Sequence, residues 1–223
     1  MNIQTILFMC NDFERAFFTL HSFRRHHSNI PIRVINAGGK DPSKYLSSIG
    51  VEVINTDNLW HKKTHCGVGS FSPDFANHLF EYGLNPKYDY TLFLETDVLT
   101  NRTIKIKPKY HISGVTNPCG PKESILYTHL GITNNFLHTG CGGTIFSKEY
   151  FSHIHNTNFH FFTEMFIKYP ENYFMDLILT LAARTAGLSF GYWEEVSNIP
   201  IHFIGDKQYN ANYNQTLVHN FKI

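Results

Sequence analysis

The sequence has few cysteines, and none of them forms a Cys-x-x-Cys pair. The four cysteines lie far apart along the chain, at Cys10, Cys66, Cys119 and Cys141. Their spacing does not support a zinc ribbon, and it favours a reduced intracellular protein. The sequence also lacks a basic segment followed by a long apolar core, and no stretch reaches the roughly 20 apolar residues of a membrane helix. We therefore expect a cytoplasmic protein without a signal peptide or a transmembrane segment.

The chain also lacks an excess of charge of either sign. Its 223 residues include 19 Lys and Arg against 18 Asp and Glu, which gives a formal net charge of +1. This balance does not indicate a nucleic-acid partner or a disordered acidic tail. The 42% hydrophobic content, with 20 Phe and 12 Tyr, supplies ample core for the single domain that this length favours. We interpret most of the 14 His as a compositional habit and not as metal sites.

The first 55 residues have the pattern of a βαβ unit without a dinucleotide fingerprint. Residues 3–9 predict a buried strand, residues 12–27 an amphipathic helix, and residues 32–35 and 51–54 two further strands. Such a unit has a right-handed crossover and is typical of nucleotide-binding folds. No G-x-G-x-x-G follows the first strand, so a classical dinucleotide fold is disfavoured.

The remaining apolar patterns predict further strands and helices. We predict strands over residues 90–94, 111–115, 136–146, 188–192 and 201–204, and helices over residues 72–82, 147–153, 159–168 and 170–187. We predict irregular structure over residues 59–71, from 116 to about 130, and over 205–215, a stretch with the composition of a lid. The fold class that follows is α/β, with a mostly parallel central sheet flanked by helices.

Two carboxylates follow the predicted strand Tyr90–Leu94. Glu95 and Asp97 are separated only by Thr96, with no Lys or Arg in the triplet. In open α/β sheets, ligands bind just beyond the carboxyl ends of the strands. Carboxylate oxygens favour Mg²⁺ or Mn²⁺, ions that usually keep a substrate phosphate in their coordination shell. The triplet therefore predicts a divalent-cation site, and the alternative is a polar turn with both acids merely solvated.

The order of these features resembles that of the GT-A glycosyltransferases, nucleotide-sugar-dependent enzymes with one Rossmann-like sheet. Glu95-Thr96-Asp97 is similar to their D-x-D motif, and His138–Phe146 to the strand that borders their acceptor site. Val218-His219-Asn220 is similar to the C-terminal His that completes metal binding in several branches. More loosely, the chain resembles small nucleotide-sugar transferase domains of large DNA viruses, which are sometimes one domain of a longer polypeptide.

The resemblance implies a GT-A fold and a metal-dependent glycosyltransferase. Such an enzyme moves a sugar from a UDP- or GDP-sugar to a glycan acceptor hydroxyl, and we expect it to invert the anomeric configuration. Residues 1–100 would form the nucleotide-binding half and residues 101–223 the acceptor-binding half of a single 1–223 domain. Mn²⁺ or Mg²⁺ held by Asp97, with Glu95 and His219, would stabilise the leaving diphosphate. Because the family often uses the first acid for the ribose, Asp97 is the more secure ligand.

Candidate nucleotide contacts follow the first two predicted strands. The candidates for the nucleoside are Cys10, Asn11, Arg15 and Asn36. Lys63, or Lys62 in its place, lies in the predicted loop and would add positive charge near the phosphates. Asn36 stands where many relatives carry an Asp pair, so nucleobase recognition would differ there. The alternatives are helix capping for Asn11, a turn for Asn36 and a solvated surface for the lysines.

Asp176 is the candidate base. In an inverting enzyme a carboxylate removes the proton of the acceptor hydroxyl, and Asp176 lies near the start of the predicted helix after Pro170. This placement resembles the acid-rich helix start of inverting GT-A enzymes, although no Glu-Asp pair is present. The alternatives are stabilisation of the helix dipole by Asp176, a base at Glu194 or Glu195, or a retaining enzyme that requires no base.

A glycine cluster and the end of a late strand are the candidate sugar contacts. Glycines allow the backbone to approach a sugar ring closely, and an aromatic ring can stack on its face. The candidates are Thr139, Gly140, Gly142, Gly143, Trp193 and Glu194. A tight turn or bulge explains the glycines equally well, and core packing is the alternative for Trp193.

Two rival functions remain open from the residues. A sugar nucleotidyltransferase usually has a glycine-rich loop with Lys or Arg near its N-terminus, and the stretch Phe8–Arg15 does not have this pattern. A non-catalytic nucleotide-sugar- or glycan-binding domain would keep the same binding residues and show no turnover. A histidine-rich zinc module is disfavoured by the spread of Cys and His.

Overall fold

Strands and helices alternate along the chain in the computed structural model, which describes residues 1–56, 73–168, 175–198 and 217–219. The strands are β1 (Ile3–Met9), β2 (Ile32–Asn36), β3 (Glu52–Asn55), β4 (Tyr90–Leu94), β5 (Leu99–Thr100), β6 (Ile112–Pro118), β7 (Leu137–Ser147), β8 (Phe190–Tyr192), β9 (Val196–Asn198) and β10 (Leu217–His219). The helices are α1 (Phe13–His26), α2 (Ser43–Leu46), α3 (Pro73–Gly83), α4 (Pro121–His129), α5 (Lys148–Thr157), α6 (His160–Lys168) and α7 (Met175–Thr185), with a short 3₁₀ turn at Ser47–Ile49.

The central sheet has seven strands in the order β3-β2-β1-β4-β7-β6-β8. Strand β1 is parallel to β2 and β4, β2 to β3, and β6 to β8, whereas β7 is antiparallel to both of its neighbours. The predicted mostly parallel sheet is therefore confirmed. Because only β7 is reversed, six strands end at the same edge of the sheet, where β7 begins. We call this edge the C-terminal edge.

A small second sheet lies beside the end of β4. It has the order β5-β10-β9, with β10 antiparallel to β5 and parallel to β9. Val218 pairs with Leu99, so the next residue of β10, His219, continues toward the turn that precedes β5. Gly143 of β7 joins the two sheets, because a Cβ at this position would lie 2.8 Å from Val196 Cγ2.

Hydrophobic residues cover both faces of the central sheet. On one face Phe80 of α3 is fully buried, and its ring packs against Tyr150, Phe151 and Phe162 of α5 and α6. The other face holds a separate cluster beneath α1, which includes Leu20, Phe23, Val34, Leu94 and Trp193. Helices thus flank the sheet on both faces, as the periodicity predicts. No helix in the described ranges combines the length and apolarity that crossing a membrane requires.

The main error in the predicted elements is α4. We predicted irregular structure up to about residue 130, but residues Pro121–His129 form a helix. The start signal is present, since Pro121 occupies the first turn after Gly120 and Glu123 is an acid in that turn. The short strands β5, β9 and β10 and the short helix α2 were also not predicted. The predicted loop 59–71, the strand 201–204 and the lid 205–215 lie outside the described residues, as do residues 170–174 of the last predicted helix.

His27 is a buried histidine beside the second core cluster. Its Nε2 accepts a hydrogen bond from the Ile104 backbone N–H at 3.3 Å, and its ring lies 4.6 Å from that of Phe23. Burial, together with the positive charge of His26, lowers the pKa of His27 from its ordinary 6.5 to about 4, against an opposing effect of Glu195. The neutral ring is therefore the form that the fold stabilises.

This lowered pKa predicts a loss of stability in mild acid. In the unfolded chain His27 takes up a proton below its ordinary pKa of 6.5, but in the folded chain it does so only near pH 4. The contribution of the neutral His27 to the free energy of unfolding is therefore complete above pH 6.5 and declines as the pH falls from 6.5 to 4. Urea unfolding at pH 7 and pH 5 is expected to show a loss of roughly 1–2 kcal/mol from this group. His27→Gln, which keeps an acceptor, is expected to reduce the pH dependence, whereas His153→Gln at an exposed position is not. Equal pH dependence in all three proteins would contradict this assignment.

Candidate active site

The triplet forms a turn that is tied to the first helix. The Thr96 hydroxyl donates to Asp12 Oδ2 at 2.8 Å, and the Thr19 hydroxyl of α1 donates to the Thr96 carbonyl at 2.8 Å. Within the turn the Val98 N–H donates to the Glu95 carbonyl at 3.2 Å. Thr96 therefore holds the turn through both its side chain and its backbone. The sequence indicated only a small spacer here, because no local pattern shows that a residue of α1 reaches it.

The two acids of the triplet lie at the C-terminal edge. Glu95 and Asp97 are both partly buried, and the Oδ1 oxygen of Asp97 is buried. Two carboxylates presented by one short turn form an oxygen donor set that suits a hard divalent cation. The described residues contain no cluster of three or more His, Cys, Asp or Glu that could hold a metal. The side chain of His219, the third predicted ligand, lies outside the described part.

Arg15 is brought to the triplet by Asp12. Its Nη1 lies 3.9 Å from Asp12 Oδ2, the same oxygen that accepts the hydrogen bond from Thr96. About half of the Arg15 side chain is exposed. A partly exposed positive charge therefore lies one helical turn from Asp12, the residue that binds Thr96 of the triplet. Lys62 and Lys63, the other predicted phosphate contacts, lie outside the described residues.

Asn11 and Asn36 hold the loops at the ends of β1 and β2. Asn11 adopts a positive φ of 54°, and its Oδ1 accepts a hydrogen bond from the Lys40 backbone N–H at 3.0 Å. Asn36 is buried and its Nδ2 donates to the Lys40 carbonyl and to Asn55 Oδ1, at 3.0 and 2.8 Å. Both side chains thus hold the loops that follow β1 and β2, where the nucleotide crevice is predicted, beside the buried Cys10. Asn11 does not cap α1, since Asp12 occupies the N-cap position.

Helix α7 places Asp176 at the amino end of β7. A Cβ on Gly140 would lie 2.1 Å from the Asp176 Cβ, so only glycine allows the helix this approach. One residue earlier in β7, the Thr180 hydroxyl accepts from the Thr139 N–H and donates to the Thr139 carbonyl, both at 3.0 Å. Asp176 is partly exposed at the first turn of α7. The predicted base and the predicted sugar-binding strand are therefore in contact.

Three other predicted sugar contacts are buried in the fold. Gly142 and Gly143 are buried, and Gly143 has a φ of +92° and packs against β9 and β10. Trp193 is 1% exposed and its indole N–H donates to the Ile106 carbonyl at 3.0 Å. A ring with no exposed face cannot stack on a sugar, so the assignment of Trp193 as a substrate contact is wrong and this residue belongs to the core.

The acids after β8 differ from each other in role. Glu194 pairs with Lys109 at 2.8 Å, and this hydrogen bond lowers the pKa of Glu194. Glu195 is buried, and its Oε1 accepts hydrogen bonds from the backbone N–H groups of Lys105 and Ile106, at 2.5 and 2.6 Å. Glu195 thus holds a backbone segment and is not placed to receive an acceptor proton. Of the three candidate bases, Asp176 is the one that the structure places against the predicted sugar-binding strand.

The sequence did not indicate a Cys–His contact at the far end of the C-terminal edge. Cys119, which follows β6, lies with its Sγ 3.7 Å from Nδ1 of His138 in β7. Burial raises the pKa of the Cys119 thiol and lowers the pKa of His138, so both groups are favoured in their neutral forms. In the described part of the chain, neither Cys119 nor Cys10 forms a disulfide. The two residues are 19 positions apart in the sequence, and only the antiparallel pairing of β6 with β7 brings them together.

The contact of Thr180 with Thr139 generates a stability prediction. Thr180→Val keeps the shape of the side chain but leaves a buried backbone N–H and carbonyl of Thr139 without this partner. We expect a loss of about 1–3 kcal/mol in the free energy of unfolding, measured with urea. Thr163→Val, at an exposed position of α6, is the matched control and should change stability by less than about 0.5 kcal/mol. Equal effects of the two substitutions would contradict the proposed docking of α7.

No protein-family model matches the sequence, and no curated protein matches it. Solved structures do match the fold. The galactosyltransferase LgtC, in complex with donor and acceptor sugar analogues, is 13% identical with a TM-score of 0.61, over 97% of this chain and 86% of LgtC. The glycosyltransferase GlyE of Streptococcus pneumoniae TIGR4 is 14% identical with a TM-score of 0.56, over 98% of this chain and 55% of GlyE.

A third similar structure is the core-mannan synthase A (CmsA/Ktr4) of Aspergillus fumigatus in an Mn/GDP form. It is 10% identical with a TM-score of 0.50, over 87% of this chain and 73% of that protein. This chain spans about half of GlyE and most of LgtC. The looser resemblance to viral domains is not tested by these comparisons and stays a prediction. The fold predicted from the order of the motifs is confirmed: the chain has the GT-A fold of nucleotide-sugar glycosyltransferases.

Proposed function

We propose that the chain is a metal-dependent glycosyltransferase that moves a sugar from a UDP- or GDP-sugar to a hydroxyl of a glycan acceptor. The observation that carries this proposal is the arrangement of Asp97 and Asp176 at one edge of the sheet. Asp97 lies in the turn that follows β4, which hydrogen bonds hold to α1. Asp176 lies on α7 against Gly140. In open α/β sheets this edge is where ligands bind. The likeness of the fold to LgtC, GlyE and CmsA supports the same function.

The nucleotide half of the proposed site comes from β1, β2 and α1. Arg15 supplies a partly exposed positive charge beside the triplet, while Asn11 and Asn36 hold the walls of the crevice. Hydrogen bonds tie the loops after β1 and β2 to each other, so this part of the proposed site would be held in place before a nucleotide binds. Pre-formed sites of this kind lower the entropic cost of binding.

The residues of the triplet fit a divalent cation. Asp97 and Glu95 would hold Mn²⁺ or Mg²⁺, with His219 as a third ligand from β10. A bound cation of this type acts as a Lewis acid and offsets the negative charge of the leaving diphosphate. The contacts of Thr96 with Asp12 and Thr19 keep the backbone between the two carboxylates in place, so these acids do not have to be ordered when the donor binds.

Asp176 would receive the proton of the acceptor. In this step the acceptor oxygen forms a bond to the anomeric carbon, the bond from that carbon to the diphosphate oxygen breaks, and the hydroxyl proton passes to the Asp176 carboxylate. Attack from the face opposite the leaving group inverts the anomeric configuration. Gly140 lets the backbone of β7 lie directly against Asp176, so the stretch from Thr139 to Gly142 would border the acceptor at this carboxylate.

The metal role of Asp97 predicts a binding defect that does not require turnover. With Mn²⁺ present, UDP or GDP is expected to raise the melting temperature of the native protein, and Asp97→Asn is expected to abolish most of this increase. Asp89→Asn is the matched control, because Asp89 precedes β4 at the opposite edge of the sheet and is exposed. If neither nucleotide stabilises the native protein with Mn²⁺, or if Asp97→Asn keeps the full increase, the metal assignment is wrong.

The role of Asp176 predicts a defect in rate without a defect in binding. Asp176→Asn is expected to lower kcat by about 10²–10⁴-fold, because a positioned base contributes about that much. Nucleotide binding with Mn²⁺ should stay close to that of the native protein, and Glu164→Gln, exposed on α6, should keep full activity.

The anomeric configuration of the product, read by proton NMR, tests the same role independently. Inversion agrees with Asp176 as the base, whereas retention, or full activity of Asp176→Asn, would rule it out. Nucleotide-sugar and metal binding without any hydrolysis or transfer would instead identify a non-catalytic binding domain. Formation of a nucleotide sugar from a sugar phosphate and a nucleoside triphosphate would identify a nucleotidyltransferase.

A further inference from the structure

A cleft of about 240 Å³ lies between the second half of α1 and the strand β5. Within the described part of the chain, the residues that line it are Phe18, His21, Ser22, Arg25, His26, Leu99, Thr100 and Asn101. The cleft is smaller than the roughly 300–1,000 Å³ pockets that bury drug-sized ligands. Its size therefore suits a small group, or one end of a larger ligand.

The chemistry of the lining is that of an anion site. Among the described lining residues there is one permanent cation, Arg25, with His21 and His26 beside it and no acid. The neighbouring Arg24 has a structural role, because its guanidinium donates hydrogen bonds to backbone carbonyls that include those of Ile49 and Gly50. The guanidinium of Arg25 has no hydrogen-bond or ion-pair partner among the described residues. It is exposed and can bind a ligand without breaking an existing contact.

The charge around the cleft has the same sign. After β5, residues 101–110 carry four basic residues and no acid. Lys105 and Lys107 are exposed, whereas Lys109 is paired with Glu194. Thr103 of this segment donates to the His26 carbonyl at 3.4 Å, so the segment is held against the end of α1. For a chain with a net charge of only +1, this is a concentration of positive charge.

The floor of the cleft is built from the same backbone that follows the triplet. The Ser22 hydroxyl accepts from the Thr100 N–H at 3.1 Å and donates to the Thr19 carbonyl at 2.8 Å. The cleft is nevertheless separate from the nucleotide crevice. Arg25 lies ten residues beyond Arg15 on α1, a distance of about 15 Å along the helix axis. A ligand of the cleft and a phosphate near Arg15 therefore occupy different places.

We propose that this cleft binds a phosphate monoester, with the oxyanion held by Arg25 and by its histidine neighbours. The planar guanidinium of an arginine matches the oxygens of a phosphate, and charge-assisted hydrogen bonds of this kind are among the stronger ones. Phe18 is 37% exposed at the rim and offers an apolar surface to the group that carries the phosphate. The site is independent of the proposed transferase activity.

The test uses the whole native chain and inorganic phosphate, titrated against sodium chloride of equal ionic strength. Amide NMR shifts are expected to change in a saturable way at Thr100, Asn101 and the second half of α1. Arg25→Gln is expected to weaken phosphate binding by about tenfold or more, because it removes a charged hydrogen-bond donor. His21→Gln is expected to weaken it to a smaller degree. The matched control is Lys87→Gln, an exposed cation that precedes β4 at the opposite edge of the sheet, with a change below about twofold.

Three results would overturn the proposal. One is the absence of saturable shifts, and another is equal weakening by Arg25→Gln and Lys87→Gln, which would indicate only diffuse surface charge. A third is loss of phosphate binding in Asp97→Asn with no change in Arg25→Gln, which would place the anion in the nucleotide crevice. Because Asp97→Asn tests the catalytic proposal separately, failure of one site does not decide the other.

Two further arms distinguish the source of the phosphate. In one, glycerol 3-phosphate is titrated as a soluble monoester. In the other, the protein is sedimented with phosphatidylcholine vesicles with and without phosphatidic acid, whose headgroup is a phosphate monoester. Arg25-dependent binding in either arm supports the site and identifies its source. Binding in neither arm, despite binding of inorganic phosphate, would restrict the site to the free anion and overturn its assignment to a monoester.

Discussion

The hydrogen bonds between α1 and the turn after β4 are the constraint on which the candidate site depends. A turn at the end of a strand has no strand partners of its own, so its carboxylates would otherwise be free to move. Thr19 holds the Thr96 carbonyl, Thr96 holds Asp12, and Ser22 holds the Thr100 N–H. Hydroxyl groups on successive turns of one helix thus hold the backbone on both sides of Asp97. A metal or diphosphate that binds there meets acids that are already oriented, and such preorganisation is what electrostatic stabilisation of developing charge requires.

The reversed strand β7 explains how the second half of the site is assembled. Because β7 begins at the edge where its neighbours end, its first residues project beside the triplet and not away from it. Gly140 then allows α7 to approach so closely that Asp176 rests on the strand, and the Thr180 contact with Thr139 sets the register of the helix. The same reversal pairs Cys119 with His138 at the end of β6. One antiparallel strand in a parallel sheet therefore brings residues distant in sequence to a common edge.

Much of the fold could be predicted because its signals are local. Apolar runs and helical periodicity located β1, α1, β4 and α7, and the acid-x-acid triplet does follow a buried strand, as predicted. The contacts that complete the site have no local signal: nothing near Thr96 indicates Thr19, and nothing near Gly140 indicates Asp176. Trp193 was misassigned for a related reason, since the sequence shows an aromatic residue after a strand but not the burial that makes it part of the core. Helix α4 was missed although Pro121 marked its start, because its apolar face, with Leu126 and Tyr127 buried, is short.

Helix α1 carries both the triplet contacts and Arg25, and this raises the question of whether the two sites influence each other. A chain of hydrogen bonds from Ser22 through Thr19 to Thr96 connects them, but a connected path is not by itself a coupling. Coupling requires two arrangements of α1 that a ligand distinguishes by its binding free energy. Leu20 and Phe23 of this helix are fully buried, so any displacement of α1 would disturb a close-packed core. The packing therefore favours independent ligand binding at the proposed cleft and at the triplet, because the core holds the helix that contacts both.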